Sequence, residues 1–281
     1  MGDEEYVHGY TEREAKRLGD QAGTLAELLH HDTRYEAGST VLEAGCGVGA
    51  QTVLLATNSP SARVTSVDVS AESIAQARAL LEAEGLDNVV FRQADIFDLP
   101  FEKESFDHVF VCFLLEHLAD PPAALECLKE VLREGGSMTV IEGDHGSCFF
   151  HPDSEHARRA IKCLIYAQAE SGGDALIGRR LYPLLSEAGL VDVRVSPRMV
   201  YADSSRLDMV EGFTRNTFTA MVQGARERAL ALGLTTAEEF DMGIRDLYRT
   251  SEPDGTFCYT FFKATALKQA STRAGGRLQV E

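Results

Sequence analysis

The stretch that decides the fold is a short apolar run leading into three closely spaced glycines, Thr40-Val41-Leu42-Glu43-Ala44-Gly45-Cys46-Gly47-Val48-Gly49. Glycine lets the backbone turn tightly and approach a ligand, and a helix predicted at about 49–57 would place its N-terminal N–H groups behind the turn. The Gly-x-Gly-x-Gly spacing departs from the Gly-x-Gly-x-x-Gly of dinucleotide-binding folds. On its own, the pattern fits an ordinary turn as well as a site for a nucleotide-like ligand.

Downstream of the glycines, strands and helices alternate up to about residue 145. The alternation predicts an α/β fold in which a mostly parallel sheet is covered by helices on both faces. Such sheets bind ligands at the carboxyl ends of their strands, where the strand order reverses. The predicted strands lie at 63–67, 88–92, 107–112 and 137–142, and the predicted helices at about 49–57, 71–84 and 121–133.

Beyond residue 145 the alternation stops, and the pattern divides the chain into a core with insertions. A helical cap is predicted before the core and a polar, disordered tail after it. The two insertions are predicted to form a helical lid over the carboxyl edge of the sheet. The predicted divisions are 1–39 (helical cap), 40–145 (core), 146–177 (lid insertion), 178–201 (core helix and strand), 202–254 (second lid insertion), 255–266 (final core strand) and 267–281 (tail).

Composition and charge limit the possible partners. The 281 residues include 27 Lys and Arg against 44 Asp and Glu, a formal charge of −17 that disfavours binding to nucleic acid. No run approaches the roughly 18 apolar residues of a membrane span, and the acidic N-terminus lacks the pattern of a secretion signal. Six cysteines without a Cys-x-x-Cys pair indicate free thiols. These observations predict a cytoplasmic protein that binds neither nucleic acid nor membrane.

Two aspartates follow the second and third predicted strands, at the edge where a ligand is expected. Asp68 lies about 20 residues after the glycines, where a carboxylate can accept hydrogen bonds from both hydroxyls of a ribose. Asp95 can accept from the amino group of adenine, and Ile96 beside it offers an apolar face to the ring. A helix cap or a surface acid remains open for Asp68, and a turn-forming role for Asp95.

Taken in order, these motifs resemble those of class I S-adenosylmethionine (SAM)-dependent methyltransferases. The resemblance covers roughly residues 40–145. It rests on Glu43-Ala44-Gly45-Cys46-Gly47-Val48-Gly49, Asp68, Ala94-Asp95 and Leu115-Glu116-His117-Leu118. Three further segments are similar to the branch that includes the ubiquinone/menaquinone C-methyltransferases: Asp95-Ile96-Phe97-Asp98-Leu99-Pro100-Phe101, Ser105-Phe106-Asp107 and Leu132-Arg133-Glu134-Gly135-Gly136.

The resemblance implies SAM as the cofactor and a Rossmann-like, seven-stranded sheet whose last strand is antiparallel. It further implies that the glycines and Glu43 line the methionine portion, Asp68 binds the ribose, Asp95 and Ile96 bind the adenine, and Phe113 approaches the sulfonium. Tyr10 and Arg17 would close over the cofactor from the N-terminal segment, although a solvent-exposed role suits Arg17 equally. The complete set of expected cofactor contacts is Tyr10, Arg17, Glu43, Gly45, Gly47, Gly49, Asp68, Val69, Asp95, Ile96 and Phe113.

Candidate catalytic and acceptor-binding residues follow the fifth predicted strand. Methyl transfer needs aligned reactants, and it needs a general base only where the acceptor must lose a proton. His145 is the predicted base because histidine titrates near neutral pH, and Asp144 is a second catalytic candidate. A structural loop histidine is the alternative for His145. Arg179, which would pair with an acidic group, and Phe149 are predicted to contact the acceptor. No metal ligands are expected.

The function predicted from these motifs is SAM-dependent methyl transfer (EC 2.1.1.-) to a small organic acceptor by a monomer or homodimer. An oxygen, nitrogen or carbon acceptor atom is equally open. One alternative is a nicotinamide-dependent oxidoreductase, which the glycine spacing, Glu43 and Asp95 argue against. The other is a non-catalytic subunit with the same fold, which the intact motif set argues against.

Overall fold

A single eight-stranded sheet organises the computed structural model, which describes residues 23–270. From one edge inward the strand order is β3-β2-β1-β4-β5-β8, with β7 on the far side of β8 and the short β6 beside β8 beyond the end of β5. The strands are β1 (Thr40–Ala44), β2 (Arg63–Asp68), β3 (Val89–Gln93), β4 (Phe106–Cys112), β5 (Leu132–Gly143), β6 (Phe149–His151), β7 (Leu190–Ala202) and β8 (Thr256–Lys268).

Strands β1 to β5 are parallel to one another, and β8 is antiparallel to β5, β6 and β7. The α/β fold with an antiparallel last strand is therefore confirmed. Strand order reverses at β1, which lies between β2 and β4. The carboxyl ends of β1 and its neighbours therefore form the crevice where a ligand is expected.

The sheet has one strand more than the seven expected. The additional strand is β6, only three residues long, in which Phe149, Phe150 and His151 pair with Cys258, Phe257 and Thr256. It lies in the segment that the sequence assigned to a lid insertion. Three residues are too few to show a period of two in the sequence, so the strand could not be predicted. It forms because β8 extends past the end of β5 and offers a free edge for pairing.

Side chains that alternate along the central strands fill two apolar layers, one on each face of the sheet. Val41 and Phe110 face one layer, and Leu42 and Val111 face the other. The first layer includes side chains of α1 (residues 23–30), α2 (Ala50–Asn58) and α5 (Glu155–Glu170), and the second those of α4 (Pro121–Val131) and α6 (Leu181–Glu187). Helix α3 (Ala71–Ala83) packs with β3 in a smaller cluster.

The second predicted insertion is helical but is not one continuous helix. It begins with a single turn, α7 (Leu207–Met209), and continues as a π-helical segment (Val210–Thr219) into α8 (Ala220–Gly224). Helices α9 (Arg226–Ala231) and α10 (Ala237–Arg249) follow, and α10 begins with a capping box between Thr236 and Glu239. The π-helical segment buries Phe213 and Phe218 against β8.

Strand β8 continues to Lys268, two residues beyond the predicted end of the final strand. Most of the predicted tail and most of the predicted N-terminal cap lie outside the described residues. Within residues 23–270, no helix has the length and apolarity needed to cross a bilayer.

Candidate functional site

The glycine turn connects β1 to α2 at the point where the strand order reverses. Its glycines have positive φ angles of 71° at Gly45, 50° at Gly47 and 87° at Gly49. A Cβ atom on Gly49 would lie 2.8 Å from Cβ and 2.9 Å from Cα of Ala77, whereas one on Gly47 would meet nothing within 4 Å among residues 23–270. Gly49 is therefore required by the packing of the turn on α3, and Gly47 borders open space that a ligand can enter.

Glu43 lies beneath the turn, with 2% of its surface exposed. Its Oε2 accepts hydrogen bonds from Thr52 Oγ1 at 2.7 Å and Ser66 Oγ at 2.6 Å. Burial raises the pKa of this carboxyl to about 7. Glu43 thus joins β1 to α2 and β2 and holds the base of the turn in place.

Asp68 joins the end of β2 to the glycine turn. Gly47 N donates to its Oδ2 at 2.8 Å, and Ser70 N donates to its Oδ1 at 2.9 Å. A carboxylate offers about four lone-pair positions, so two remain for other donors. Asp68 can hold the turn in shape and still accept hydrogen bonds from two ligand hydroxyls.

The end of β3 and the residue after β2 provide the remaining surface of this part of the crevice. Asp95 is exposed, and its Oδ1 accepts from Phe97 N at 2.9 Å in a turn. Val69 is 57% exposed, whereas Ile96 is only 6% exposed and packs in the core. The apolar surface that this region offers to a flat ring therefore belongs more to Val69 than to Ile96.

The turn after β4 is strained at Phe113, which has a φ of 55° although it is not glycine. Its N–H donates to Ile141 O at 2.9 Å, and its ring packs 5.5 Å from the ring of Phe261. The next two N–H groups, of Leu114 and Leu115, donate to Glu142 Oε1 at 3.1 and 2.7 Å. Glu142 on β5 therefore fixes the start of the turn that carries Glu116.

The turn after β5 brings together Asp144, which was predicted to be catalytic, and Arg179, which was predicted to contact the acceptor. Arg179 donates from Nε to Asp144 Oδ2 at 2.6 Å and from a terminal nitrogen to Oδ1 at 2.7 Å. Asp144 is 2% exposed, while the Arg179 side chain is 48% exposed. The guanidinium and the carboxylate form a bidentate ion pair, so both side chains stabilise this turn.

Beside this turn lies a buried polar cluster, which we define as Glu116, Glu142, His145, Gln168 and Tyr259. His145 Nδ1 lies 2.8 Å from Tyr259 Oη, and His145 Nε2 lies 3.8 Å from Glu116 Oε2. Gln168 Nε2 donates to the Glu116 carbonyl at 3.0 Å and lies 3.4 Å from Glu116 Oε2. Each member is at most 8% exposed. The cluster stands at the carboxyl ends of β4 and β5.

Electrostatics within the buried polar cluster oppose ionisation of Glu142. Burial and the neighbouring Glu116 raise the pKa of Glu142 well above its ordinary value. Burial also raises the pKa of Tyr259. His117 Nε2 lies 3.6 Å from Glu116 Oε1, at the outer side of the cluster.

Of the other predicted site residues, Phe149 is 53% exposed on β6, and Tyr10 and Arg17 lie outside the described residues. Residues 23–270 contain no group of three or more His, Cys, Asp or Glu side chains arranged to hold a metal ion.

Neither Tyr259 nor Gln168 is among the site residues predicted from the sequence, and Glu116 enters there only as part of a motif. An acid between Leu115 and His117 in an apolar segment was a usable signal for Glu116. Tyr259 lies within a strand rich in aromatic residues, and Gln168 lies on an amphipathic helix. Neither residue therefore carried a signal in the sequence for a role in the site.

Three features of the crevice fit SAM. The open space at Gly47 admits a ligand beside the turn, the free lone pairs of Asp68 suit a ribose, and exposed Val69 suits a flat base. These features lie side by side at the ends of β1 and β2, where a nucleoside can span adjacent strands.

Comparison with known proteins agrees with this geometry. A family model described as a methyltransferase domain matches residues 35–189. An uncharacterised 37.1 kDa protein in a Streptomyces fradiae transposon is 36% identical over 73% of this chain and 59% of its own length. A demethylmenaquinone methyltransferase from Porphyromonas gingivalis is 36% identical over 37% of this chain and 43% of its own. The chain thus spans less than two thirds of these relatives.

A solved structure similar in fold is that of phosphoethanolamine N-methyltransferase 2 from Haemonchus contortus in complex with SAM. The TM-score is 0.54 at 19% identity, over 88% of this chain and 52% of that one. At this identity, the similarity concerns the fold alone.

Proposed function

This chain belongs to the methyltransferase domain family, and on that premise we propose that it transfers a methyl group from SAM to a small organic acceptor. The observation that supports this most directly is the contact between Asp68 and Gly47. It places a carboxylate with unused lone pairs next to open space at the glycine turn, at the strand-order reversal. When bound, SAM supplies a methyl group made electrophilic by its sulfonium.

The residues of this chain divide the binding of SAM between neighbouring strands. Gly45, Gly47 and Gly49, held from below by Glu43, border the methionine portion. Asp68 accepts from the ribose, Val69 and Asp95 contact the adenine, and Phe113 lies nearest the sulfonium. This order along the edge of the sheet leaves the ends of β4 and β5 for the acceptor.

We propose His145 as the base for an acceptor that must lose a proton. The ring is held at Nδ1 by Tyr259 and faces Glu116 through Nε2. Asp144 is better suited to a supporting role, because its carboxylate is occupied by Arg179. Phe149 on β6 remains a candidate for contact with a bulky acceptor.

A small acceptor and a cytoplasmic, monomeric or homodimeric enzyme complete the proposal. The charge of −17 argues against a nucleic-acid acceptor. All six cysteines lie within the described residues and are unpaired, which suits a reducing compartment.

Isothermal titration with SAM, S-adenosylhomocysteine and NADH tests the proposal. We expect binding of the first two and none of NADH; NADH binding without SAM binding would favour the oxidoreductase. Incubation with methyl-labelled SAM and a metabolite extract should then yield a labelled product. SAM binding without any labelled product across a broad acceptor screen would favour the non-catalytic subunit.

A further inference from the structure

The buried polar cluster occupies the place in the crevice where an acceptor would meet the methyl group. Along the sheet, the expected adenine, ribose and methionine contacts follow β3, β2 and β1, and the next strands in order are β4 and β5. Adjacent strands are about 4.8 Å apart, so residues after β4 and β5 lie one to two strand spacings beyond the glycine turn. Glu116 and His145 are in those positions.

Acceptor oxygens outnumber hydrogen-bond donors in this cluster. Glu142 is fully buried, and its Oε2 has no hydrogen-bond partner among residues 23–270. Gln168 is 1% exposed, and its Oε1 likewise has none there. Gln168 Nε2 already lies against Glu116, so flipping this amide would turn its oxygen toward the carboxylate. Buried acceptors of this kind are normally satisfied, which indicates a ligand rich in N–H donors.

The charge of the cluster also favours a ligand with N–H donors, and in particular a cationic one. Within the described part of the chain, no Lys or Arg forms an ion pair with Glu116 or Glu142, and the basic side chains within 4 Å of the Glu116 carboxylate are His117 and His145. A buried carboxylate is costly unless a cation and hydrogen bonds compensate it. Asp144, a buried acid on the next turn, has such a partner in Arg179.

We propose that the methyl acceptor is an amine, whose ammonium group is bound by the carboxylate of Glu116, the carboxyl oxygen Oε2 of Glu142 and the amide oxygen of Gln168. The inference rests on the proposed function, since it names the acceptor class of the same site. Aromatic rings border the cluster, with Phe218 at 6.3 Å and Tyr259 at 5.9 Å from the His145 ring. Such rings suit an apolar group next to a cation.

The reaction at this site balances without any further reactant. One proton of the bound ammonium passes to His145, and the resulting imidazolium lies beside the carboxylate of Glu116. The nitrogen lone pair then forms the new N–C bond while the C–S bond of SAM breaks and leaves its electron pair on sulfur. The products are S-adenosylhomocysteine and a methylated ammonium ion, and the proton on His145 returns to solvent afterwards.

The test is isothermal titration of the protein loaded with S-adenosylhomocysteine, using benzylammonium, benzyl alcohol and benzoate as matched probes. Saturable binding of S-adenosylhomocysteine is established first, because its failure would count against the proposed function instead. We expect benzylammonium to bind in the millimolar range or better and at least about tenfold more tightly than benzyl alcohol. Benzyl alcohol binding as tightly, or no benzylammonium binding below about 10 mM, overturns the inference.

Isosteric variants identify the binding oxygens. Glu116→Gln and Glu142→Gln should each weaken benzylammonium binding at least about tenfold and leave the affinity for S-adenosylhomocysteine unchanged. Glu170→Gln removes the same charge from the exposed face of helix α5, two residues from Gln168, and should change neither affinity. Unchanged benzylammonium affinity in both cluster variants contradicts the inference.

Two further measurements separate the remaining explanations. If Glu116→Gln weakens binding of SAM but not of benzylammonium, the carboxylates serve the sulfonium and the inference fails. If the acid variants do not fold, as judged by circular dichroism, Gln168→Met removes an oxygen that has no hydrogen-bond partner in the described part of the chain, without changing charge. That variant should weaken benzylammonium binding severalfold, and an unchanged affinity would contradict the inference.

Discussion

Gly49 and Gly47 lie two residues apart in the same turn but are constrained for different reasons. Both have positive φ, yet only Gly49 is pressed against another part of the protein, the backbone of α3 at Ala77. No atom of residues 23–270 lies within 4 Å of a Cβ atom placed on Gly47, and Gly47 also donates to Asp68. The same substitution, glycine to alanine, should therefore affect mainly folding at Gly49 and mainly ligand binding at Gly47.

Gly49→Ala should destabilise the protein by about 2 to 4 kcal/mol, because the methyl group adds a backbone clash to an unfavourable φ. Gly47→Ala should cost only about 1 kcal/mol, yet it should weaken SAM binding by at least about tenfold because the methyl group occupies ligand space. Urea unfolding and titration with SAM measure the two effects. Equal stability losses in the two variants would contradict this assignment.

Glu43 should make stability depend on pH. Its pKa of about 7 in the folded state exceeds the ordinary value of 4.5, so the folded protein holds this proton more tightly than the unfolded chain does. The resulting contribution to the free energy of unfolding is complete below pH 4.5 and is lost as the pH rises through 7.

The matched variant is Glu43→Gln, which keeps an oxygen for Thr52 and Ser66 and does not titrate. Between pH 5.5 and 8, the stability of the native protein should fall relative to this variant by about 1 to 2 kcal/mol. Urea unfolding of both proteins at several pH values measures the difference. A difference that does not change with pH would show that Glu43 titrates normally.

Among the elements, the pair of Asp144 and Arg179 joins the turn after β5 to the 3-10 turn Ile177–Arg180. Arg179→Ala would leave a buried carboxylate without its cation and should cost about 1 to 3 kcal/mol, reduced from the cost of a fully buried pair because the arginine is half exposed. Adding Asp144→Asn should recover part of this loss. Arg180→Ala, at an exposed pair with Asp174, should cost under about 0.5 kcal/mol.

Thermal unfolding of the native protein, Arg179→Ala, Asp144→Asn and the double variant provides the double-mutant cycle for this pair. The same Arg179→Ala protein distinguishes the two roles of the arginine. If the Michaelis constant for an identified acceptor rises while stability is unchanged, Arg179 contacts the acceptor and does not chiefly hold the turn.

The elements also differ in how well the sequence specified them. β2 was predicted at 63–67 and is Arg63–Asp68, and β4 was predicted at 107–112 and is Phe106–Cys112. These strands are buried apolar runs bounded by turns, so local pattern determines them. β6 was missed because pairing with β8 alone creates it. The π-helical segment was missed because its wider turn leaves no separate periodicity in sequence.

The residues of the site also fall into those whose meeting the sequence predicts and those whose meeting it does not. Asp68 and the glycines follow strands directly, so their meeting at one edge could be predicted from strand order. The buried polar cluster joins Glu116, Gln168 and Tyr259 from positions up to 143 residues apart, and only the folded chain brings them together. Asp144 and Arg179 were each proposed for chemistry because their mutual contact is equally invisible in sequence.

At the scale of the whole molecule, the second insertion packs against the first described helix. A Cβ atom on Gly212, in the π-helical segment, would clash with Thr24 Oγ1 on α1. Gly212→Ala should therefore separate the two elements and lower the free energy of unfolding by about 1 to 3 kcal/mol. Thr24→Ala combined with Gly212→Ala should restore most of it, since the clashing hydroxyl and methyl are gone. Urea unfolding of both proteins checks this, and a double variant no more stable than Gly212→Ala alone would refute the contact.

Strand β8 pairs with three strands that precede it in the chain, yet it is the last strand of residues 23–270. During synthesis β7, complete by residue 202, has no partner in the sheet until residue 256 and beyond emerge from the ribosome. The nascent chain can close the parallel part of the sheet early but must keep β7 and the exposed edge of β5 from pairing with other chains. Chaperone demand and misfolding should therefore concentrate in this late window of translation.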